Sequence, residues 1–389
     1  MIVSEIKKDI YGIIVNDWDR RLFDGLIPLP DGTTYNAYII KDKKNVLIDT
    51  SDPRKIEKFM SIVKEISNGK IDYVISNHSE QDHSGGLPAV LSVFPDAKVI
   101  TSEKGAILLD RLLLIPSDKF LKVQNGEEIE IGERRLKFFH TPWVHWPETI
   151  ITYSVKDRVL FPCDLFGSHL ATSNFYASSN DRVYEAAKRY YAEIMMPFRG
   201  YIKKYLDLVE GLKPDIIAPS HGPVHNNPEF IINAYKDWVS DNVKNEVVIP
   251  YVSMHGSVEK MVDYFVDKLI KRGIAVKPFN LTITDTGQLA MALVDAATVV
   301  LGTPAVLGGP HPAVVYAAYL FKILRPKTKF ASIIGSFGWG SNMLKVITDM
   351  LPQGIEIIDP VIVNGYPHKD DIDALETLAD NILKKHKEL

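Results

Sequence analysis

The chain has 389 residues, of which 46% are apolar and 24% charged, with 45 Lys and Arg against 49 Asp and Glu. That length predicts two or three domains, and that balance excludes disorder, collagen and coiled coil. A net charge of −4 gives no electrostatic drive towards nucleic acid or an anionic membrane, and a single cysteine, Cys163, excludes an intramolecular disulfide, a thiolate zinc cage and an iron–sulfur cluster.

Residues 1–12 alternate apolar and charged positions and lack the apolar core of a signal peptide. No segment offers ~20 uninterrupted apolar residues, so the chain is expected to stay in the cytoplasm. From residue 34 to 161, short β-rich runs recur at 38–40, 46–48, 73–76, 98–101, 136–139, 150–153 and 159–161, separated by turn signals. Helical spacing intervenes at 55–66 and 86–93, and a longer helical region spans 181–212. This half reads as a β-sandwich flanked by helices.

After residue 215 the texture changes. A buried-strand run at 247–252 leads into an amphipathic helix at 257–272, with Val258, Met261, Val262, Phe265, Val266, Leu269 and Ile270 on one face and Gly273 ending it. Strands at 275–278, 298–302, 329–336 and 355–358 then alternate with helices at 286–294, 312–324, 341–350 and 370–386. Such alternation predicts a doubly wound parallel sheet. The polar segment 244–246 marks the boundary between a domain at 1–245 and another at 246–389.

The densest chemical signal is Ser76-Asn77-His78-Ser79-Glu80-Gln81-Asp82-His83-Ser84-Gly85-Gly86, directly after a strand. Four possible metal ligands lie within six positions, enough for one loop to serve two metals. His145, Asp164 and His221 sit where other strands end, and Asp164, with two carboxylate oxygens, is the natural bridge between paired ions. Among the other histidines, His140 alternates within a strand as a core or supporting residue, while His225, His368 and His386 are expected at the surface.

His78-x-Glu80-x-Asp82-His83, followed by His145, Asp164 and His221, resembles the metallo-β-lactamase superfamily, and in particular its flavodiiron (A-type flavoprotein) branch. The words Gly32-Thr33-Thr34-Tyr35-Asn36-Ala37-Tyr38 and His145-Trp146-Pro147-Glu148 resemble that branch as well. Hydrolases of the superfamily usually carry histidine where this chain has Glu80. A carboxylate there hardens the site and favours iron over zinc. The resemblance implies one iron held by His78, Glu80 and His145, a second by Asp82, His83 and His221, and Asp164 bridging them. It further implies that Trp146 borders the pocket and that His169 supplies protons or gates substrate.

In the second half, Ser253-Met254-His255-Gly256-Ser257-Val258 joins a strand to a helix, where free N–H groups and the helix dipole suit a phosphate. The loop lacks the lysine of a Walker site and resembles the flavodoxin phosphate loop, with Val258 and Pro250 as departures. Two further loops, containing Thr303-Pro304-Ala305-Val306 and Gly335-Ser336-Phe337-Gly338-Trp339-Gly340, lie at carboxyl ends of later strands, where open α/β sheets bind ligands. The resemblance implies that they enclose the flavin ring of FMN, with Trp339 as the stacking aromatic.

The expected whole is an N-terminal αββα metallo-β-lactamase-like sandwich with two non-haem irons and a C-terminal flavodoxin-like sheet with FMN. It would reduce O2 to water, or NO to N2O, as a head-to-tail homodimer or dimer of dimers. With no fused rubredoxin or reductase module in the sequence, electrons are expected from a separate donor, rubredoxin or reduced coenzyme F420. The words Asp17-Trp18-Asp19-Arg20-Arg21-Leu22-Phe23-Asp24 and Phe166-Gly167-Ser168-His169-Leu170 resemble the archaeal members that oxidise reduced F420. The competing readings are a zinc-dependent hydrolase of the same fold and a metal-free flavin electron carrier.

Overall fold

A computed structural model describes all residues, Met1–Leu389. The chain divides into two compact units, Met1–Val239 and Ser240–Leu389. The polar segment 244–246 falls inside the first strand of the second unit, Lys244–Tyr251, because its backbone pairs with neighbouring strands however polar its side chains are.

The first unit contains two sheets. One has seven strands in the order Ile2–Lys7, Ile10–Asp17, Thr33–Ile40, Val46–Ile48, Tyr73–Ile75, Lys98–Thr101 and Phe120–Lys122. The other has five, Glu128–Glu130, Arg135–His140, Ile150–Ser154, Val159–Phe161 and Ile216–Ile217. Between them lies a core drawn from both sheets, including Ile14, Tyr38, Ile48 and Ile75 from the first and Phe138, Ile150 and Phe161 from the second. The opposite face of the first sheet buries Ala37, Leu47 and Val74 against Phe59 and Val63 of the helix Ile56–Ile66, Val90 of Leu87–Val93 and Leu109 of Glu103–Leu113. Alternation of residues between two buried faces explains why strand Thr33–Ile40 is buried at every position.

The helical region at 181–212 is not one helix. It runs as Asp181–Tyr190, then a π turn at Tyr191–Met195, a 3-10 turn at Met196–Phe198, and a second α-helix at Arg199–Leu212. Pro197 has no N–H to offer and cannot continue regular i to i−4 bonding. Periodicity alone could not reveal this break, since apolar spacing continues through it. His225, expected at the surface, is buried and donates from Nε2 to the Phe166 carbonyl at 3.2 Å. His386 is half-buried between Thr298 and Asn245, which approach its two ring nitrogens at 2.7 Å each.

The second unit is a parallel sheet in the order Ala275–Asn280, Lys244–Tyr251, Ala296–Val306, Phe330–Phe337, with Glu356–Ile357 and Val361–Asn364 both pairing along the far edge of Phe330–Phe337. Numbered by sequence, its main strands run 2-1-3-4-5, the flavodoxin-like doubly wound order, with the switch point between Lys244–Tyr251 and Ala296–Val306. The helix Ser257–Lys271 buries Val258, Met261, Val262, Phe265 and Leu269. Ile270, one residue and about 100° further round, is 59% exposed and leaves the expected face. Gly273 takes φ +73° after that helix, and Ile274 N–H reaches back to the Leu269 carbonyl at 3.1 Å. No helix is long and apolar enough to cross a membrane.

Phe138 is fully buried between the two sheets of the first unit. Phe138→Ala should cost that unit about 3–5 kcal/mol, read as a fall in its denaturation midpoint without a matching change in the second unit.

Candidate metal centre

All seven predicted ligands converge at one end of the first unit. His78 follows strand Tyr73–Ile75, Glu80 precedes the short helix Gln81–Ser84, and Asp82 and His83 ride on it. His145 lies in the connection between Arg135–His140 and Ile150–Ser154, Asp164 just past Val159–Phe161, and His221 past Ile216–Ile217.

Two groups form around opposite oxygens of one carboxylate. Oδ2 of Asp164 lies 3.6 Å from His78 Nε2 and 3.3 Å from His145 Nε2, and each of those nitrogens lies 3.1 Å from Glu80 Oε2. Oδ1 of Asp164 lies 2.9 Å from His83 Nε2 and 3.6 Å from His221 Nε2. Asp82 completes the second group, its Oδ1 3.4 Å from His83 Nε2 and its Oδ2 3.1 Å from His221 Nε2.

Within this cluster Asp164 Oδ1 and both Asp82 oxygens are buried without a hydrogen-bond partner, although nitrogens stand close by. The atoms are near one another but not aligned as donors and acceptors, as lone pairs are when they converge on a common point. Buried carboxylates with no partner are costly unless a cation neutralises them. The donor set, nitrogen and oxygen only, suits iron. Cys163 lies beside Asp164, but burial raises its thiol well above the usual range, and its sulfur packs against Ser220 Oγ at 3.3 Å.

The charges of the cluster shift one another. Burial opposes ionisation of His83, but the charges of Asp82 and Asp164 outweigh it and push the imidazole up to about 10. His78 is likewise raised, its bonds to Glu148 and Glu80 overcoming burial. Asp164 is held well below the usual carboxylate range, burial being outweighed by His83 and His145.

The loops are tied down by residues of the same sequence words that carried the resemblance. Asn36 Nδ2 donates to the carbonyls of Pro219 and Gly222 at 2.8 and 2.7 Å, Tyr38 Oη donates to Pro219 O at 2.6 Å, and the Thr34 hydroxyl accepts the Gly222 N–H at 2.7 Å. Gly222 has φ +78°, and a Cβ there would meet Ser168 Oγ at 2.1 Å, so the turn that presents His221 accepts only glycine. Across the sheets, Asp49 accepts from the Asn77 N–H and side-chain amide at 2.9 and 3.1 Å, and Asn77 in turn accepts from Thr152 Oγ1 at 2.7 Å.

A cavity of about 180 Å³ opens onto the cluster, lined by Glu80, Asp82, His145, Asp164 and His221 together with His169, Phe23, Asp24, Ile27, Tyr190, Glu193 and Ile194. His169 is held by Thr33 Oγ1 at 2.8 Å from Nδ1, while its Nε2 has no partner. Burial, then the neighbouring His221, keeps it neutral by lowering its pKa well below the usual value. Trp146 does not line the cavity; its ring meets that of His78 edge-on with centroids 4.9 Å apart. Phe23 and Asp24 stood in the sequence word at 17–24 with no role given to them, and Tyr190, Glu193 and Ile194 carried no motif. The last two reach the cavity from the π turn that the helical pattern concealed. Burial and the charges of Glu80 and Asp82 push the carboxyl of Asp24 up to about 6.

In the second unit, the predicted cofactor residues cluster at the carboxyl ends of adjacent strands. Residues 253–256 lead into the helix Ser257–Lys271, whose Glu259 N–H donates to Ser253 Oγ at 3.1 Å. Residues 303–306 are not a loop but the end of strand Ala296–Val306, which folds back on Gly309–Pro310 as a hairpin. Residues 335–337 end the strand Phe330–Phe337, and beyond them Trp339 is 87% exposed. The first-turn N–H groups of that helix and an exposed indole give a phosphate and a flat ring somewhere to bind.

A model of the ODP family beta lactamase matches residues 33–222. The chain is 35% identical to the nitric oxide reductase of Moorella thermoacetica over 91% of this chain and 90% of the relative. It is 30% identical to the coenzyme F420H(2) oxidase of Methanocaldococcus jannaschii over 99% and 97%. The chain belongs to the flavodiiron protein family. Its structure matches that of the rubredoxin oxygen:oxidoreductase of Desulfovibrio gigas with a TM-score of 0.95 at 29% identity, covering 100% of this chain and 99% of the other. As a member of this family the chain is an oxidoreductase.

A raised histidine pKa stabilises a fold fully below the unfolded value of about 6.5, and that stability is lost as pH rises through the folded value. Metal-stripped protein should therefore lose thermal stability between pH 6.5 and about 10 through His83. Reloaded protein, with a cation in place of the proton, should lose less over the same range. Calorimetry of both forms across that window checks it.

Proposed function

We propose that this flavodiiron protein reduces O2 to water, or two NO to N2O, at a diiron site supplied with electrons by FMN. The observation that carries the reading is the sharing of Asp164, one oxygen facing His78, Glu80 and His145 and the other facing Asp82, His83 and His221. His78, Glu80 and His145 would hold one iron, Asp82, His83 and His221 the second, and Asp164 would offer one oxygen to each. The first unit is the diiron domain and the second the FMN domain. Bound there, two irons and one FMN supply the four electrons that O2 reduction takes, or the two that joining two NO into N2O takes.

The chain's own residues set the conditions for that chemistry. The backbone of 253–258 would hold the phosphate of FMN, and residues 303–306 and 335–340, with Trp339, would hold its ring. Phe23, Ile27 and Ile194 narrow the cavity to small, weakly polar molecules and keep bulk water from the ligands. His169, neutral and fixed by Thr33, presents Nε2 to the cavity, where it exchanges a proton with reduced substrate. Trp146 acts behind the ligands, holding the His78 ring by edge-on packing. The working assembly is a cytoplasmic head-to-tail homodimer, alone or as a dimer of dimers, with the FMN of one subunit beside the irons of the other. Such a two-fold arrangement closes on itself.

Purified protein should be yellow and carry about two irons per chain, as metal analysis and a visible spectrum will report. Asp164→Ala should abolish O2 consumption at an oxygen electrode while bound FMN stays. Colourless protein with zinc would favour a hydrolase, and yellow protein without metal a flavin carrier.

For the donor we propose reduced F420, or failing that rubredoxin, in line with relatives named for each. Anaerobic mixing with reduced F420 should bleach the flavin absorbance. No bleaching under conditions where reduced rubredoxin does so would assign rubredoxin instead.

A further inference from the structure

His78, His83 and His221 each have a second ring nitrogen facing away from the cluster, and the three meet different surroundings. Nδ1 of His78 lies 2.8 Å from Oε1 of Glu148, and both side chains are at most 1% exposed. The same oxygen accepts the Ser79 N–H at 2.9 Å, and Ser102 Oγ donates to the Glu148 carbonyl at 2.8 Å. The carboxylate is thus pinned from both its side chain and its backbone. Nδ1 of His221 meets a neutral acceptor, the Thr34 carbonyl, at 2.5 Å, and Nδ1 of His83 meets no partner. Of these three imidazoles, only that of His78 is backed by a charge.

We infer that Glu148 is a positioning residue that polarises His78 and makes the two metal positions unequal, the one at His78, Glu80 and His145 being the stronger electron donor. The inference rests on the proposed diiron reading. A carboxylate that accepts the outer N–H of a ligating imidazole fixes its tautomer and orientation and raises its basicity. A more basic ligand stabilises a ferric ion over a ferrous one. The Thr34 carbonyl, being neutral, does this less for His221, and His83 receives no such help. With both irons and FMN bound, the position at Asp82, His83 and His221 would take the first electron from the reduced flavin and the position at His78 the second. Glu148 thereby sets the order in which the pair fills.

The test uses holoenzyme and three substitutions. Glu148→Gln keeps an acceptor oxygen and removes the charge, Glu148→Ala removes both, and Glu148→Asp restores the charge on a shorter arm. Chelator competition on metal-stripped protein measures the affinity of each Fe2+ equivalent, and an EPR-monitored redox titration measures the two one-electron midpoints. Glu148→Gln should weaken one iron equivalent by about ten- to a hundredfold and spare the other. It should raise the lower iron midpoint by about 59 mV for each tenfold loss of ferric preference, leaving the flavin potentials unmoved. Glu148→Asp should recover part of both effects, and Glu148→Ala should show the largest. Unchanged midpoints in Glu148→Gln, or equal weakening of both equivalents, including loss of all iron, would overturn the inference by showing a merely structural role. Wild-type protein without two redox-active irons would sink the diiron reading itself, and the inference with it.

Discussion

The first unit is organised around the burial of Asp164. Its carboxyl group is 1% exposed, and one of its oxygens has no hydrogen-bond partner. Placing an ionised carboxylate in such surroundings costs several kcal/mol unless positive charge meets it, and here the nearest groups are imidazoles that converge from three separate segments. Because a carboxylate has two oxygens, one side chain at the end of one strand can satisfy two clusters at once. Every other feature of the site depends on keeping those loops in register with it.

That register is held by hydrogen bonds that cross between sequence-distant segments. Thr34, Asn36 and Tyr38, alternating along one strand, fasten the turn at 219–222 that carries His221. Asp49, Asn77 and Thr152 link the two sheets directly behind His78. These bonds are buried, so each is costly to leave unmade, and together they allow little freedom to the ligand side chains. A site that binds metal through preset donors spends little ordering entropy when the ion arrives, which is why the surrounding polar network is as extensive as the ligand set itself.

The second unit solves a different problem. Its ligand-facing segments lie at strand ends and are exposed, with Met254, Leu307 and Trp339 all largely open to water. An open sheet gathers strand ends at the switch point whatever its sequence, and the helix after the first strand directs its first-turn N–H groups to the same place. The metal site therefore depends on buried, mutually fastened side chains, and the flavin site mainly on backbone and topology. Val258 packs into the core under the loop, and Pro250 sits within its strand in register with Phe279.

The cluster of candidate ligands was legible in the sequence because its chemistry is carried by residue type and local spacing: His78, Glu80, Asp82 and His83 occur together, and His145, Asp164 and His221 each follow a strand. The doubly wound second half was legible from the alternation of buried strands and amphipathic helices. Glu148 stood in view beside Trp146 and Pro147, yet its role depends on reaching Nδ1 of a histidine 70 residues away. Glu193 and Ile194 were hidden because the π turn that carries them is not told from regular helix by apolar spacing, and His225 because a polar side chain does not announce a buried acceptor. By itself the sequence determined which atoms could ligate and which segments would form sheets, since both are set by local composition. Only the tertiary structure decided that Asp164 faces both clusters and which residues close the cavity, since hydrogen bonds and packing between distant segments place those groups.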